Sequence, residues 1–288
     1  MTNQTRIPSI LIWALMPLLL APGYVFAWGT QGHQLICAIA VANLTPQAHA
    51  FVEETLAMGK YLDGNEQQDL VKACTWADGA KYDAYTGSYE SHYLNVPADK
   101  NSVALTRDCA ALDCIVVAIQ RNLTYLNQKP GSNRERGRKA AALRFVGHYI
   151  GDLHQPLHIS NLEDWGGNKI RVTWFGNESN LHKLWDVELL AKAGLSYPSS
   201  LDYLSAEQFK LNEQNVLKWM DESFTLAREY AYLNADSNTI FSGDKLGQAY
   251  LERSKPVVIL QLIRGGHRLA YLINALAAGT LDTNILIE

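Results

Sequence analysis

Apolar residues recur along most of the chain at the three- and four-residue spacing of amphipathic helices. Thr45 followed by Pro46 is typical of a helix start, with an N-cap and proline at the first helical position. Strand patterns are scarce, and the clearest alternation runs from Lys169 to Trp174, between glycine-containing turns. The pattern predicts helices over about 35–44, 46–56, 68–80, 112–126, 134–153, 181–193, 206–233 and 256–278, with an ordered loop over 82–108.

Composition supports a globular protein. The chain has 288 residues, of which 48% are hydrophobic and 19% charged, and this excludes a disordered, collagen-like or coiled-coil protein. We find no internal repeat, low-complexity tract or linker that would divide it. The expected fold is therefore all-α: a single, mainly helical domain over residues 28–288, with one small β-hairpin.

The first 27 residues have the layout of a cleaved export signal. Arg6 precedes an apolar run from Ile10 to Ala21, which Pro17 interrupts, and Ala27 follows as a small residue at the expected cleavage position. An uncleaved membrane anchor is the alternative, although the run is short for a membrane span. We expect cleavage after Ala27, export to the periplasm or the medium, and no stable membrane association afterwards, because no later segment is long and apolar enough.

Charge gives no hint of a polyanionic partner. The formal net charge is −4, from 25 basic and 29 acidic residues. Removing the leader makes it one unit more negative, since Arg6 is the leader's only charged residue. Taken alone, the charge weakly disfavours binding to nucleic acid or to an anionic membrane.

Cysteine usage fits an exported protein. The four cysteines are Cys37, Cys74, Cys109 and Cys114, an even number with no Cys-x-x-Cys spacing. In an oxidising compartment they are better interpreted as two disulfides than as reactive thiols or metal ligands. The sequence permits three pairings.

Histidine and aspartate positions supply the chemical signal. His148 and Asp152, and again His182 and Asp186, are four residues apart, so on a helix each pair would lie on one face. A single pair of this kind is more often a simple hydrogen-bonded pair than a metal site. Two such pairs together with His158 make a metal site the better interpretation, and a ligand set of imidazole and carboxylate groups suits Zn²⁺.

Six ordered motifs resemble those of the zinc-dependent S1/P1-type nucleases, enzymes with a fold like that of phospholipase C and a preference for single strands. The motifs are Trp28-Gly-Thr-Gln-Gly-His33, Trp76-Ala-Asp78, Ser91-His92-Tyr93, the segment from Gly147 through Asp152 to His158, Gly166-Gly167-Asn168 and His182-Lys-Leu-Trp-Asp186. Coincidence across six ordered blocks is implausible.

The resemblance implies three Zn²⁺ ions per chain. The first would be held by Asp78, His92, His148 and Asp152, the second by His158, His182 and Asp186, and the third by Trp28, His33 and the shared Asp152. Trp28 would coordinate through its main-chain amine and carbonyl. A precursor that keeps its leader should then be inactive or lack the third metal, because the Trp28 amine is not free.

The resemblance also implies an activity. It is endonucleolytic hydrolysis of single-stranded DNA and RNA to 5'-phosphorylated nucleotides by a monomer, with a water bridging two zinc ions as nucleophile. Asp78 would orient that water and Lys81 would contact the phosphate, while Tyr93 would stack on a base and Asn95 would contact its edge. Lys81 could instead be a solvated surface lysine, and Tyr93 a packing residue. Whether the chain also acts as a 3'-nucleotidase stays open.

The same resemblance, to plant members of the family, implies that Cys37 pairs with Cys74 and that Cys109 and Cys114 close a short loop. Two other functions are weighed. A zinc phospholipase C shares the fold but differs in ligand spacing and carries Glu where this chain has Asp186. A non-catalytic zinc-binding protein is disfavoured because three protein ligands leave the second zinc an open position. Residues 195–288 suggest little about function, and His49, His154 and His267 receive no ligand role.

Overall fold

Long helices dominate the computed structural model, which describes residues 28–64, 69–207, 209–212 and 214–282. The export signal predicted over residues 1–27 lies outside these ranges. The α-helices are α1 (Thr30–Ala42), α2 (Pro46–Ala57), α3 (Leu70–Ala73), α4 (Trp76–Ala80), α5 (Leu105–Asp108), α6 (Ile115–Asn127), α7 (Asn133–Leu153), α8 (Leu181–Lys183), α9 (Leu189–Ala193), α10 (Leu201–Ala206), α11 (Val216–Leu226) and α12 (Gln248–Ala278). Single 3₁₀ turns cover Met58–Tyr61, Thr86–Ser88, Glu90–His92 and Pro156–His158, and π-helical turns cover Leu184–Glu188 and Ala227–Ala231.

Helix starts follow the capping residues of the sequence. The hydroxyl of Thr45 accepts the N–H of Ala48 at 3.2 Å, and Pro46 occupies the first position of α2, as predicted. Helix α7 begins with a capping box, in which Ser132 and Glu135 each bond the other's backbone N–H. These caps fix the start of the helix that carries two candidate ligands.

Four predicted elements differ from the structure. The helix expected over 68–80 is divided into α3 and α4 around Cys74, and the one expected over 181–193 is divided into α8, a π-helical turn and α9. The helix expected over 206–233 is replaced by the shorter α11 and a π-helical turn. The last helix begins at Gln248 rather than at the predicted Pro256, which lies inside it. Periodicity alone does not locate such breaks, because apolar spacing continues across them.

The strands are short and belong to two small sheets. β1 (Leu94–Val96) pairs in parallel with β2 (Ile159–Asn161), and β3 (Arg171–Trp174) pairs antiparallel with β4 (Asn177–Asn180) and in parallel with β5 (Lys245–Leu246). The β3–β4 hairpin confirms the predicted one, and its turn has positive φ at Phe175 (46°) and Gly176 (87°). β1 lies within the segment predicted as loop.

Two buried hydrophobic clusters form the core, and α1 and α12 contribute to both. Cys37 of α1 belongs to the first cluster, whereas its neighbours Ile36 and Ile39 belong to the second. Both disulfides are formed, Cys37–Cys74 and Cys109–Cys114, in the pairing that the resemblance implies. The mainly helical fold is as predicted. Among the described residues, no helix has the length and apolarity needed to cross a membrane.

Candidate metal centre

Three groups of buried histidine and aspartate side chains come together where α1, α4, the 3₁₀ turn Glu90–His92, α7 and the segments after α7 meet. Within each group the possible ligand atoms lie within 4.8 Å of one another. The groups are His33, Asp78 and His148; His92, His148 and Asp152; and His158, His182 and Asp186. All eight side chains belong to the sets predicted from the sequence, but the first group combines Asp78 and His148 of the first predicted set with His33 of the third.

Asp152 is the centre of the cluster. Its Oδ2 lies 2.9 Å from Nδ1 of His92 and 3.1 Å from Nε2 of His148, one turn earlier on α7. Its Oδ1 lies 3.2 Å from Nε2 of His33 and 3.7 Å from Nδ1 of His158. Four imidazoles thus converge on one fully buried carboxylate.

His33 reaches this carboxylate from α1. Its ring stacks on that of His148, with centroids 3.9 Å apart. The approach depends on Gly151 of α7, because a Cβ there would lie 2.6 Å from Nδ1 of His33. The two helices therefore meet at a distance that only glycine permits.

His182 lies in the short α8, and Asp186 lies in the π-helical turn that follows it rather than in a regular helix. Asp186 lies within Leu184–Glu188, and its Oδ2 is 3.3 Å from Nε2 of His182 while its Oδ1 is 3.6 Å from Nε2 of His158. Single π-helical turns inside helices are frequent at functional sites. The four-residue spacing thus brought the two side chains together, although the backbone between them is not the one predicted.

Backbone carbonyls orient three of the rings. Nδ1 of His148 donates to Cys74 O at 2.7 Å, that of His158 to His92 O at 2.8 Å, and that of His182 to Gly166 O at 2.7 Å. Each bond places the proton on Nδ1, so the lone pair of Nε2 faces the cluster. This arrangement of the outer nitrogen is the usual one for metal-bound histidine.

Several inner atoms of the cluster have no hydrogen-bond partner of their own. These buried atoms are Nε2 of His33 and His158, Oδ1 of Asp152 and Oδ2 of Asp186. Buried lone pairs that face each other without a donor are costly, and a divalent cation would satisfy them. Nitrogen and carboxylate oxygen together suit zinc. The donor set therefore fits a metal centre.

The protonation states support the same interpretation. Burial lowers the pKa of His92 to about 4 and also lowers the pKa values of His33 and His182, so these rings are neutral near pH 7. Burial alone would lower the pKa of His148 and His158 too, but the charge of Asp152 outweighs it and raises both. Without a cation, His148 and His158 would carry protons that hydrogen-bond to the neighbouring carboxylates. Metal binding would displace those protons.

Lys81 is buried rather than solvated. It is 6% exposed, and its Nζ donates to Oδ1 of Asp78 at 2.7 Å. Burial would lower the pKa of Lys81, but the neighbouring Asp78 carboxylate outweighs burial and raises it. A buried cation beside the cluster is placed to meet an anionic ligand.

A cleft of about 1030 Å³ opens onto the cluster. Tyr93, Asn95 and Lys81 line it together with the ligand side chains of His158 and His182. Tyr93 lies beside Tyr89, with the ring centroids 6.3 Å apart in an edge-to-face arrangement. The three residues that the resemblance suggests as substrate contacts therefore line one cleft beside the cluster.

Sequence reasoning missed further residues of this cleft. Trp165, Lys169, Arg171 and Lys183 also line it, so its wall is basic although the chain as a whole is acidic. Lys169 and Arg171 fell inside the predicted strand, where their alternation was interpreted as strand pattern only. Asn168, of the Gly166-Gly167-Asn168 motif, lines the cleft, and its Nδ2 donates to Trp165 O at 2.9 Å.

The C-terminal part of the chain braces the centre from outside. Nε2 of His154, two residues after Asp152, lies 2.9 Å from Arg268 of α12, whose guanidinium also donates to Glu222 of α11 at 2.6 Å. Gln261 of α12 donates to His154 O at 3.0 Å. Residues 195–288, which suggested little from sequence, thus anchor the end of the helix that carries two candidate ligands.

Trp28 lies beside the same cluster. It is fully buried against Gly32, and the N–H of its neighbour Gly29 donates to Asp186 O at 2.8 Å. The start of α1 is thereby held against the π-helical turn. The bond after Ala27, on which the proposed Trp28 ligand depends, lies outside the described residues.

Comparisons with known proteins show which proteins the chain is similar to. The family model described as S1/P1 Nuclease matches residues 28–278. Endonuclease 2 of Arabidopsis thaliana is 32% identical, over 95% of this chain and 99% of its own length. Nuclease S1 of Aspergillus oryzae is 30% identical, over 88% of this chain and 93% of its own, and nuclease P1 of Penicillium citrinum is 27% identical, over 86% and 97%.

Proposed function

The chain belongs to the S1/P1 nuclease family, and from that premise we propose that it is a zinc-dependent endonuclease which cleaves single-stranded DNA and RNA to 5'-phosphorylated products. The observation that supports this most directly is the cluster around Asp152, in which several buried, inward-facing nitrogen and oxygen atoms have no hydrogen-bond partner. A phosphodiester in the adjoining cleft would meet both this cluster and Lys81.

We assign the ligands as the sequence suggests. Asp78, His92, His148 and Asp152 would hold one zinc ion, His158, His182 and Asp186 a second, and Trp28, His33 and Asp152 a third. Bound zinc would lower the pKa of a coordinated water toward about 7 and offset the charge of the phosphate. Asp152, shared between two of these sets, keeps their ligands within a few ångströms of each other.

The side chains of the cleft would bind and orient the substrate. The Lys81 ammonium, already paired with Asp78, would contact a non-bridging phosphate oxygen, and Asp78 would hold the nucleophilic water in line with phosphorus. Tyr93 offers an aromatic face on which an unpaired base can stack, with Asn95 at the base edge. A duplex cannot present that face, so the cleft favours single strands.

Export completes the proposal. Two formed disulfides fit an oxidising compartment, and cleavage after Ala27 would free the Trp28 amine for the third metal. An uncleavable precursor should then contain less zinc than the protein that begins at Trp28. Equal zinc content and equal activity in the two forms would contradict this ligand.

One set of assays tests the activity. Protein that begins at Trp28 is given single-stranded DNA, RNA, duplex DNA, a 3'-mononucleotide and phosphatidylcholine, each with and without a chelator. We expect cleavage of both single strands, with 5'-phosphates on the products, that stops with chelator and returns with zinc. Hydrolysis of the lipid alone would favour a phospholipase C. Stabilisation by zinc without turnover of any substrate would favour a non-catalytic zinc-binding protein.

A further inference from the structure

A second pocket, of about 650 Å³, lies between α6, α7 and the segment 84–88. Its volume is in the range of roughly 300–1000 Å³ that is typical of ligand sites. None of the residues assigned to zinc lines it, and it takes no part in the function proposed above. Three of its lining residues are arginines, so we call it the arginine pocket: Arg121, Arg134 and Arg138.

The charge of the arginine pocket has one sign. Among the described residues that line it, none is acidic, although the whole chain has more acidic than basic residues. Arg121, Arg134 and Arg138 are exposed, and none of them forms an ion pair with a described carboxylate. Arg144, the next arginine along α7, is by contrast paired with Asp63 at 2.6 Å. The three pocket arginines are therefore available to an anionic ligand.

Two of these arginines repel each other. Arg134 and Arg138 are four residues apart, so they lie on one face of α7, where like charges destabilise a helix. The carboxylate of Glu135 lies between them in the sequence, but it accepts two backbone N–H groups just before α7, at 2.6 and 3.1 Å. The guanidinium of Arg138 lies 5.4 Å from the ring centroid of Tyr125, which holds it at the pocket wall. An anionic ligand would relieve the repulsion.

Phosphate groups in a chain suit this arrangement. A guanidinium presents its N–H groups as a planar fork that matches the oxygens of a phosphate. Arg121 is on α6 and the other two arginines are on α7, so the three forks surround the pocket from two helices. Three such groups can contact more than one phosphate. They fit a strand with successive phosphates better than a single ion.

One short segment separates the arginine pocket from the cleft. Residues 84–88 line the pocket, whereas Tyr89, His92 and Tyr93, which follow closely, line the cleft. Tyr149 of the pocket also packs edge-to-face against His92, with ring centroids 5.1 Å apart. A strand that leaves the cleft past Tyr89 would reach the pocket next.

We propose that the arginine pocket is an exosite for the sugar-phosphate backbone of the nucleic-acid substrate, in which Arg121, Arg134 and Arg138 bind phosphates outside the cleaved linkage. This rests on the proposed function, because it names a second place at which the same substrate is held. The contacts are electrostatic and involve no base. They should therefore favour long substrates over short ones, whatever the base sequence.

Steady-state kinetics on a 20-mer of thymidylate and on a thymidine dinucleotide test the exosite, because only the 20-mer can occupy the cleft and the pocket together. The test variant removes three charges by a combined substitution, Arg121→Gln, Arg134→Gln and Arg138→Gln. A second variant has Arg→Lys at the same three positions and keeps the charge. The matched control removes three charges from exposed lysines that line neither the cleft nor the arginine pocket: Lys210→Gln, Lys218→Gln and Lys255→Gln.

At 50 mM salt we expect the arginine-to-glutamine variant to raise KM for the 20-mer by about 10-fold and to leave kcat unchanged, because binding away from the reacting atoms is lost. At 200 mM salt the difference should be small, since three lost phosphate contacts change the slope of log KM against log salt by about 2. The arginine-to-lysine variant should recover most of the loss. Kinetics on the dinucleotide should be the same in every variant, which also shows that the fold and the metal centre are intact.

Three results would overturn the exosite: an unchanged KM for the 20-mer, an equal loss on the dinucleotide, or an equal loss in the lysine-to-glutamine control. The proposed function fails separately, if the wild type cleaves neither substrate. The Kd of the uncleaved 20-mer, measured on the same variants with the same expected changes, then tests the exosite alone.

Discussion

Asp152 is the residue on which the centre depends, because four imidazoles lie within 3.7 Å of its two oxygens. Asp152→Asn keeps the shape but removes the charge, so we expect bound zinc to fall and nuclease activity to drop by at least about 100-fold. Metal content by mass spectrometry and kcat on single-stranded DNA measure the two effects. Asp236→Asn changes an exposed aspartate and should alter neither. Full zinc content in Asp152→Asn would refute the bridging role.

Two substitutions at Tyr93 distinguish the role of its aromatic ring from that of its hydroxyl. Burial raises the pKa of Tyr93 to about 12, so the hydroxyl stays protonated at any working pH and Tyr93→Phe removes a neutral group only. If the ring stacks on a base, Tyr93→Phe should resemble the wild type, while Tyr93→Ala should raise KM for single-stranded DNA by roughly 10-fold and lower kcat less. Steady-state kinetics on one oligonucleotide measure both. A fall in kcat alone would instead assign Tyr93 to the packing of His92.

At this scale the sequence was informative because ligand chemistry is local. Imidazole and carboxylate spaced by one helical turn indicated metal, and the structure brings those side chains together. Trp165 could not be recognised in the same way, since its exposure depends on a backbone turn that the sequence does not specify. Lys169 and Arg171 likewise became cleft residues only through the placement of β3.

Among the elements, the turn at residues 165–167 has the sharpest consequence. Gly166 has a φ of 61°, its carbonyl orients His182, and a Cβ there would collide with Leu157 O. We expect Gly166→Ala to destabilise the protein by several kcal/mol and to lower zinc content, because the turn must move away from His182. Urea unfolding and metal analysis measure these effects.

Gly176 supplies the matched control for that variant. Its φ is 87°, but nothing lies within 4 Å of the position of an added Cβ. Gly176→Ala should therefore cost only the roughly 1 kcal/mol of a left-handed alanine and leave zinc content unchanged. Equal effects of the two substitutions would mean that backbone conformation alone explains both, and that the Gly166 contact is unimportant.

The presence of most long helices was predictable, whereas their breaks, the start of α12 and the short elements were not. The capping box and sustained apolar spacing of α7 define it in the sequence, but the π-helical turn that carries Asp186 has the same apolar pattern as a regular helix. The β1–β2 pair joins residues more than sixty positions apart through three residues each. Such pairings depend on tertiary packing, which a local pattern does not encode.

For the whole molecule, the disulfides act on different parts of the fold. Cys37–Cys74 closes a separation of 37 residues and joins α1, which carries His33, to the carbonyl that orients His148, whereas Cys109–Cys114 spans 5. Loop-closure entropy predicts losses of about 4 and about 2 kcal/mol when the pairs are replaced by serine. We expect only the Cys37/Cys74 replacement to lower zinc content as well. Denaturant unfolding with metal analysis tests this, and equal zinc content in both variants would contradict it.

Metal should also contribute to the stability of the whole fold, because the buried carboxylates of Asp78, Asp152 and Asp186 and the histidines around them lie in the interior where α1, α7 and the π-helical turn meet. A ligand at 100 times its Kd stabilises the native state by about 2.7 kcal/mol, which for a chain of this size corresponds to roughly 5–10 °C in Tm. Chelation should lower Tm by at least that much, and zinc should restore it. In Asp152→Asn, which we expect to bind less metal, the shift should be smaller. Calorimetry with and without chelator measures this, and an unchanged wild-type Tm would mean that the buried charges are balanced within the protein itself.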